Sequence, residues 1–151
     1  EGLAGLPSVH GREVAEIGAG PGLPGLAAAK LGAASVCLTD YEELVPLMRK
    51  NIALNGLQGT CRAEALDWQI SASSSLAVAN RGSHGALDLI LAADVVYFEE
   101  QDPLVDALQA LMAPGQTQLV LAYRERTPAD RAYLEDVILP RLEADRVDYE
   151  T

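Results

Sequence analysis

The sequence has few aromatic residues, few basic residues and few cysteines. Aromatic residues make up only 5% of its 151 residues, and 11 Lys and Arg stand against 22 Asp and Glu, for a formal net charge of −11. The two cysteines are too few for the disulfide framework of a small secreted domain. No apolar run reaches the ~18 residues of a membrane span, and no basic segment followed by an apolar core marks a signal peptide. These absences exclude a disulfide scaffold and disfavour a membrane-spanning or secreted chain.

The composition favours one folded domain. Hydrophobic residues make up 49% of the chain, which a disordered protein does not have. The length fits a single domain. The negative charge disfavours nucleic acid, whose binding requires Lys and Arg on phosphates, and disfavours anionic membranes for the same reason. We therefore expect a cationic ligand or a basic peptide as partner. Since the sequence shows no signal peptide and no membrane span, we expect an intracellular, cytoplasmic location. The oligomeric state stays open.

Apolar strands and helices alternate along the sequence. Strands are predicted at 14–17, 35–39, 60–63, 87–92 and 118–122, and helices at 24–31, 46–55, 102–112 and from 127 onward. A polar loop is predicted at 71–85. This alternation favours an α/β, Rossmann-like doubly wound fold, with a mainly parallel sheet and helices on both faces.

A glycine-rich segment, 18–22, directly follows the first predicted strand. Such a turn allows the backbone to approach a bound nucleotide closely. Gly20-x-Gly22-x-x-Gly25 also matches the dinucleotide fingerprint, but the glycine that follows the strand is Gly18. Counted from Gly18, the sixth residue is not glycine, so a nicotinamide dinucleotide is disfavoured. The carboxylate of Glu16 beside this loop suits a ligand with a cationic amine.

Two further acidic residues lie at or after the ends of predicted strands. Asp40 ends the second strand, where an acid in nucleotide-binding α/β folds accepts ribose hydroxyls. Alternatively, Asp40 is the N-cap of the next helix, in a capping box with Glu43. After the third strand, Asp67 and Trp68 are suited to hold an adenine, although a lone tryptophan is as often part of the core.

Asp94 and Tyr97 follow the apolar strand 87–92. Open α/β sheets place their sites at the carboxyl ends of such strands, so the carboxylate and the phenol are expected to face one pocket. At this point nucleic-acid amino-methyltransferases have Asn or Asp, then two prolines and an aromatic residue. The sequence Asp94-Val-Val-Tyr97 has neither proline, which agrees with the charge argument against a nucleic-acid substrate. Alternatively, Asp94 caps a local turn and Tyr97 packs in the core.

Several strings together resemble the seven-β-strand (class I) S-adenosylmethionine-dependent methyltransferases. More narrowly, they are similar to methyltransferase family 16, whose known members mostly methylate protein lysines. The strings span most of the chain in the order of the family: Glu16-Ile-Gly-Ala-Gly-Pro-Gly-Leu, Leu38-Thr-Asp-Tyr41, Asn51-x-x-x-Asn55, Leu66-Asp-Trp68 and Ala93-Asp-Val-Val-Tyr97.

The resemblance implies S-adenosylmethionine as cofactor, a protein lysine as acceptor and no metal. It also implies a role for each matching residue. Asp94 and Tyr97 would face the incoming lysine as the catalytic pair. The cofactor-binding residues would be Gly18, Ala19 and Gly20 at its methionine part, with Glu16 beside them, Asp40 at the ribose, Asp67 and Trp68 at the adenine, and Ala93 against the cofactor.

The chain departs from the family pattern at several points. Pro21 stands where Thr, Ser or Cys is usual, and Gln69 where Gly is common. The family's upstream segment is absent, and only 146–151 remain for the closing β-hairpin, so 1–151 is interpreted as a fragment of one methyltransferase domain. These departures keep open a non-catalytic cofactor-binding or interaction module. A small-molecule methyltransferase also stays open, because nothing in the sequence sets the size of the pocket.

Overall fold

The computed structural model describes residues 7–69, 87–96, 102–113 and 115–142. The predicted loop 71–85 and Tyr97 therefore lie outside the described residues. In the described part, strands and helices alternate as β1 (Glu13–Ile17), α1 (Leu23–Lys30), β2 (Ser35–Asp40), α2 (Val45–Leu54), β3 (Cys61–Ala65), β4 (Leu89–Ala93), α3 (Asp102–Leu111), β5 (Gln118–Ala122), α4 (Pro128–Tyr133) and α5 (Leu139–Leu142). A 3₁₀ turn (Glu42–Leu44) precedes α2, and a π-helical turn (Leu134–Ile138) joins α4 to α5.

The strands form one parallel sheet in the order β3-β2-β1-β4-β5. The chain starts at the centre, moves outward through β2 and β3, and then returns to the other side of β1 with β4. This arrangement confirms the predicted α/β class. The strand order reverses between β1 and β4, and open sheets of this kind bind ligands at the carboxyl ends of the strands beside such a reversal.

Helices cover both faces of the sheet, as the sequence predicted. In β1, Val14 faces one hydrophobic cluster while Ala15 and Ile17 face the other. Helices α1 and α2 cover the first cluster with Leu26 and Met48. Helix α3 covers the second cluster with Leu104, Val105, Leu108 and Leu111. Because both faces are covered, β4 is apolar over its whole length, Leu89–Ala93.

The predicted capping box of Asp40 and Glu43 is wrong. Asp40 is the last residue of β2, and its two carboxylate oxygens accept the N–H groups of Gly20 and Tyr41, each at 2.7 Å. The chain then makes its 3₁₀ turn before the regular helix begins at Val45. The carboxylate of Asp40 is therefore turned towards the glycine-rich segment instead of capping a helix.

Crossing a bilayer requires a long apolar helix, and the described ranges contain none.

Candidate functional site

A cavity of about 460 Å³ opens at the carboxyl ends of β1 and β4. Its volume lies within the ~300–1,000 Å³ that is usual for small-molecule sites. The glycine-rich loop, the first turn of α1, the end of β4 and the segment after β5 line it. The structure thereby brings together six residues that the sequence singled out: Glu16, Gly18, Ala19, Gly20, Ala93 and Asp94.

The glycine-rich loop is held by hydrogen bonds from β2. The N–H of Ala19 donates to the carbonyl oxygen of Thr39 (2.9 Å), and the N–H of Gly20 donates to Oδ2 of Asp40 (2.7 Å). The Thr39 hydroxyl in turn donates to the carbonyl oxygen of Glu16 (2.7 Å). These bonds tie the end of β1 and the loop to the end of β2, so one end of the cavity has a defined backbone shape.

The glycines of the loop, Gly18, Gly20 and Gly22, all adopt the left-handed conformation that other residues rarely take. Gly18 has φ +59°, and a Cβ on it would lie 2.7 Å from Cγ1 of Val95 and 3.2 Å from Cζ2 of Trp68. Gly20 has φ +52°, and a Cβ on it would meet nothing within 4 Å. Gly18 is therefore required by protein packing as well as by conformation, whereas the surface of the loop at Gly20 is open to a ligand.

Glu16 caps α1 from the neighbouring strand. Gly22, the N-cap of this helix, has no side chain to accept a hydrogen bond. Instead, Oε2 of Glu16 accepts the N–H of Gly25, the third helical residue, at 2.8 Å. The Glu16 side chain is almost fully buried, with 1% exposed. A buried carboxylate at a helix N-terminus satisfies one of the free N–H groups there.

Burial raises the pKa of Glu16 to about 7 from its ordinary value of 4.5. The Gly25 hydrogen bond opposes this shift, and the nearby charge of Asp40 adds to it. Near neutral pH the carboxyl group is therefore partly protonated. A cation that enters the cavity beside Glu16 would favour the charged form and release the proton.

Asp40 keeps hydrogen-bonding capacity towards a ligand. Its oxygens accept two backbone N–H groups, and a carboxylate offers about four acceptor positions. Asp40, Asp67 and Trp68 are not among the described residues that line the cavity. Oδ1 of Asp67 accepts the N–H of Gln69 (2.9 Å), and half-buried Trp68 packs against the second core cluster beside Gly18.

Asp94 occupies a strained position at the opposite wall of the cavity. Its φ of +58° is the only positive value for a non-glycine residue in the described ranges. Its N–H donates to the carbonyl oxygen of Ala122 (2.6 Å), and its Oδ2 accepts Nη2 of Arg126 (2.6 Å). Aspartate tolerates this conformation better than most residues. Such strain is typical of functional sites, where the surrounding structure holds the residue in place.

Arg126 is a cavity residue to which the sequence analysis assigned no role. It follows β5 by four residues, and Oδ2 of Asp130 accepts both its N–H (2.7 Å) and that of Thr127 (2.9 Å). These backbone hydrogen bonds lower the pKa of Asp130. The rule that parallel strands all end at one edge of the sheet would have placed the segment after β5 at this site.

Asn51 is a second residue without a role assigned from the sequence. Its side-chain Nδ2 donates to the carbonyl oxygen of Pro21 (2.8 Å), which connects α2 to the glycine-rich loop. The side chain of Asn55, one turn later, donates to the carbonyl oxygen of Asn51 (2.8 Å). The paired asparagines thus position the loop from α2.

Neither cysteine is among the described residues that line the cavity. In the ranges that the structure describes, no group of three or more His, Cys, Asp or Glu residues is arranged to hold a metal ion. Cys37 and Cys61 are free and buried, and burial raises the pKa of the Cys37 thiol to about 12. That thiol is therefore uncharged at neutral pH.

Comparisons with known proteins match most of the chain. A family model described as lysine methyltransferase matches residues 4–138. Protein N-lysine methyltransferase METTL21A of Danio rerio is 33% identical over 133 residues, which cover 88% of this chain and 59% of that protein. Protein-lysine N-methyltransferase EFM6 of Saccharomyces cerevisiae is 32% identical over 136 residues, which cover 83% and 55%. The chain thus spans less than two thirds of the length of these relatives.

A solved structure supports the fold independently. An S-adenosylmethionine-dependent methyltransferase from Mesorhizobium loti matches with a TM-score of 0.54 and 21% identity. The match covers 76% of this chain and 48% of that one. At this level of identity the likeness is evidence for the Rossmann-like fold alone.

Proposed function

Because the chain belongs to the lysine methyltransferase family, we propose that it binds S-adenosylmethionine and transfers its methyl group to a lysine of a protein substrate. The observation that carries this proposal is that the glycine-rich loop and Asp94 line one and the same cavity. A cofactor on the loop would lie beside the carboxylate that receives the acceptor. Residues 1–151 would then belong to one cofactor-binding domain.

The described residues fit this cofactor chemically. The buried carboxyl group of Glu16 suits the amino group of the methionine part, and Asp40 retains acceptor positions for the ribose hydroxyls. When bound, the cofactor supplies an electrophilic methyl group on a sulfonium. We propose that the binding residues are those with roles implied by the family resemblance: Glu16, Gly18, Ala19, Gly20, Asp40, Asp67, Trp68 and Ala93.

Asp94 is the proposed catalytic residue for the acceptor amine. A free lysine has a pKa near 10.4 and is mostly protonated at neutral pH. The carboxylate attracts the ammonium group into the cavity and then orients the neutral amine, and alignment by itself contributes strongly to the rate. Tyr97, which follows closely in sequence, would contact the same amine through its ring or its hydroxyl.

The charge of the chain favours a basic protein segment as the substrate. A net charge of −11 attracts Lys- and Arg-rich surfaces and repels nucleic acid. METTL21A and EFM6 are both named as lysine methyltransferases, which is consistent with a protein acceptor. We propose that the protein itself is cytoplasmic, in line with the expectation from the sequence.

Calorimetric titration with S-adenosylhomocysteine, with NADH as the control, tests the cofactor. We expect micromolar binding of the first ligand and none of the second, because the glycine loop does not carry the dinucleotide fingerprint in register. Binding of NADH alone would contradict the proposal.

Methyl transfer to a randomised peptide library with one lysine per peptide tests the acceptor. The matched control library carries norleucine in place of that lysine. Label in the lysine library only supports the proposal. Cofactor binding without transfer to any acceptor would indicate the non-catalytic module, and transfer to small amines only would indicate a small-molecule methyltransferase.

Asp40→Ala is expected to weaken binding of S-adenosylhomocysteine by about 1–3 kcal/mol, the range for lost hydrogen bonds to a charged group. Asp40→Asn keeps an oxygen that can accept the N–H of Gly20, so it separates the shape of the loop from the ribose contact. Glu42→Gln, on the exposed 3₁₀ turn, is the charge-matched control. A dissociation constant that is the same in all four proteins would refute the ribose assignment.

A further inference from the structure

The ion pair between Asp94 and Arg126 lies where the acceptor amine would have to enter. Oδ2 of Asp94 and Nη2 of Arg126 are 2.6 Å apart, and both residues line the cavity. The two side chains remain 55% and 44% exposed, so an incoming side chain can reach the carboxylate without unfolding the wall. The site thus holds a cation beside its proposed catalytic carboxylate before any substrate arrives.

Arg126 is the only cationic side chain among the described residues that line the cavity. The other charged side chains in this lining are Glu16, from β1, and Asp94 itself. From α4, Asp130 contacts the backbone of Arg126. Glu125 is paired with Arg131 at 2.6 Å. The balance of charge around an amine at Asp94 therefore depends on Arg126.

We infer that Arg126 is a positioning residue that offsets the charge of Asp94, so that the acceptor lysine loses its proton in the site. This inference rests on the proposed function and deepens it. A lone carboxylate beside the lysine favours the charged ammonium and raises the pKa of the lysine, whereas a neighbouring cation favours the neutral amine. Asp94 without Arg126 would hold the lysine tightly, but in the form that cannot react.

Methyl transfer requires the neutral amine of the acceptor lysine, because only the neutral amine has a free lone pair on nitrogen. The ammonium proton leaves to solvent first, which frees the lone pair on nitrogen. That lone pair forms the new N–C bond while the C–S bond of the methyl donor breaks, and the electrons of that bond stay on sulfur. An ammonium has no lone pair and cannot begin this displacement.

The fixed position of Arg126 supports the same role. Asp130 accepts the N–H groups of Arg126 and Thr127, and Thr127 with Asp130 forms the capping box at the start of α4. The backbone that carries the guanidinium is therefore anchored to a helix and not to the substrate. A cation held in this way remains beside Asp94 while the lysine enters.

Arg126→Gln tests the inference through the pH dependence of transfer to the single-lysine peptide library. The kcat profile is measured from about pH 6.5 to about pH 10, and we expect its acid limb to move up by about one pH unit. Transfer by the variant should then be roughly tenfold slower than by the wild type near neutral pH and similar at the alkaline end. The half-saturating peptide concentration should fall, because the ammonium binds better. Arg126→Lys should restore most of the profile.

Arg124→Gln is the matched control, since it removes the same charge from an exposed residue of the same segment. It should leave the profile unchanged. If Arg126→Gln slows transfer by the same factor at every pH and lowers the thermal midpoint, its role is structural and the inference is wrong. An unmoved acid limb would also overturn it. A wild-type protein that methylates no lysine peptide would instead overturn the proposed function itself, which separates the two failures.

Discussion

Asp94→Ala is expected to slow methyl transfer by about 2–4 kcal/mol in activation free energy, roughly 30- to 1,000-fold. The carboxylate lies in the wall of the cavity opposite the glycine-rich loop, where it can attract and orient the acceptor amine. Single-turnover transfer from labelled S-adenosylmethionine to lysine peptides measures this loss. Binding of S-adenosylhomocysteine should change little, because the proposed cofactor contacts are made by other residues.

The backbone at this position calls for a second variant. Asp94 has φ +58°, and alanine is less tolerant of that conformation than aspartate or asparagine. Asp94→Asn keeps the shape and the tolerance but removes the charge, so it should fold like the wild type and still be slow. Asp136→Asn, an exposed acid of the π-helical turn, serves as the charge-matched control. Wild-type rates in both Asp94 variants would remove this residue from the mechanism.

Glu16→Gln is expected to stabilise the ligand-free protein by about 1–3 kcal/mol above neutral pH and to remove most of the pH dependence of its stability between about pH 5 and pH 8.5. Burial raises the pKa of Glu16 in the folded protein to about 7, above its ordinary 4.5. The stabilising proton is therefore fully bound below about pH 4.5, and its contribution is lost as the pH rises through 7. Urea unfolding at both ends of this range measures the difference.

The same substitution is expected to impair cofactor binding although it stabilises the fold. Glutamine can still accept the N–H of Gly25, but it cannot become negative when the amino group of S-adenosylmethionine arrives. Titration of the wild type in buffers of different ionisation enthalpy should reveal proton release on binding near neutral pH. Glu43→Gln, on the exposed 3₁₀ turn, should behave like the wild type in both experiments. A Glu16→Gln variant that loses stability at high pH would contradict the assignment.

The sheet and its helices were predictable because the order of apolar and polar residues along the chain agrees with which side chains the fold buries. Continuous apolar runs such as that of β4 follow from burial on both faces of a parallel sheet. Gly32 and Gly56 end α1 and α2 with positive φ values of 94° and 68°, as glycines after the last turn of a helix commonly do. Each of these features depends on residues close together in sequence.

Asp40 shows where local reasoning was insufficient. A carboxylate just ahead of a helix, with Glu three residues later, has the sequence of a capping box. In the folded chain the N–H of Gly20, twenty residues earlier, reaches Oδ2 of Asp40 because β1 and β2 are neighbours. The loop that follows the adjacent strand β1 supplies a partner for the carboxylate, and the capping box does not form.

The α/β class, the glycine-rich loop and the family follow from the amino-acid pattern, since periodicity, glycine register and short strings are properties of neighbouring residues. Tertiary structure alone decided that Glu16 caps α1, that Asn51 holds Pro21 and that Arg126 pairs with Asp94. Parallel pairing brings the ends of β1, β4 and β5 to one edge of the sheet. The charges of Asp94 and Arg126, 32 residues apart in sequence, thereby come within 2.6 Å of each other. The strength of their interaction depends on this distance and on burial, and neither follows from the residues next to them in sequence.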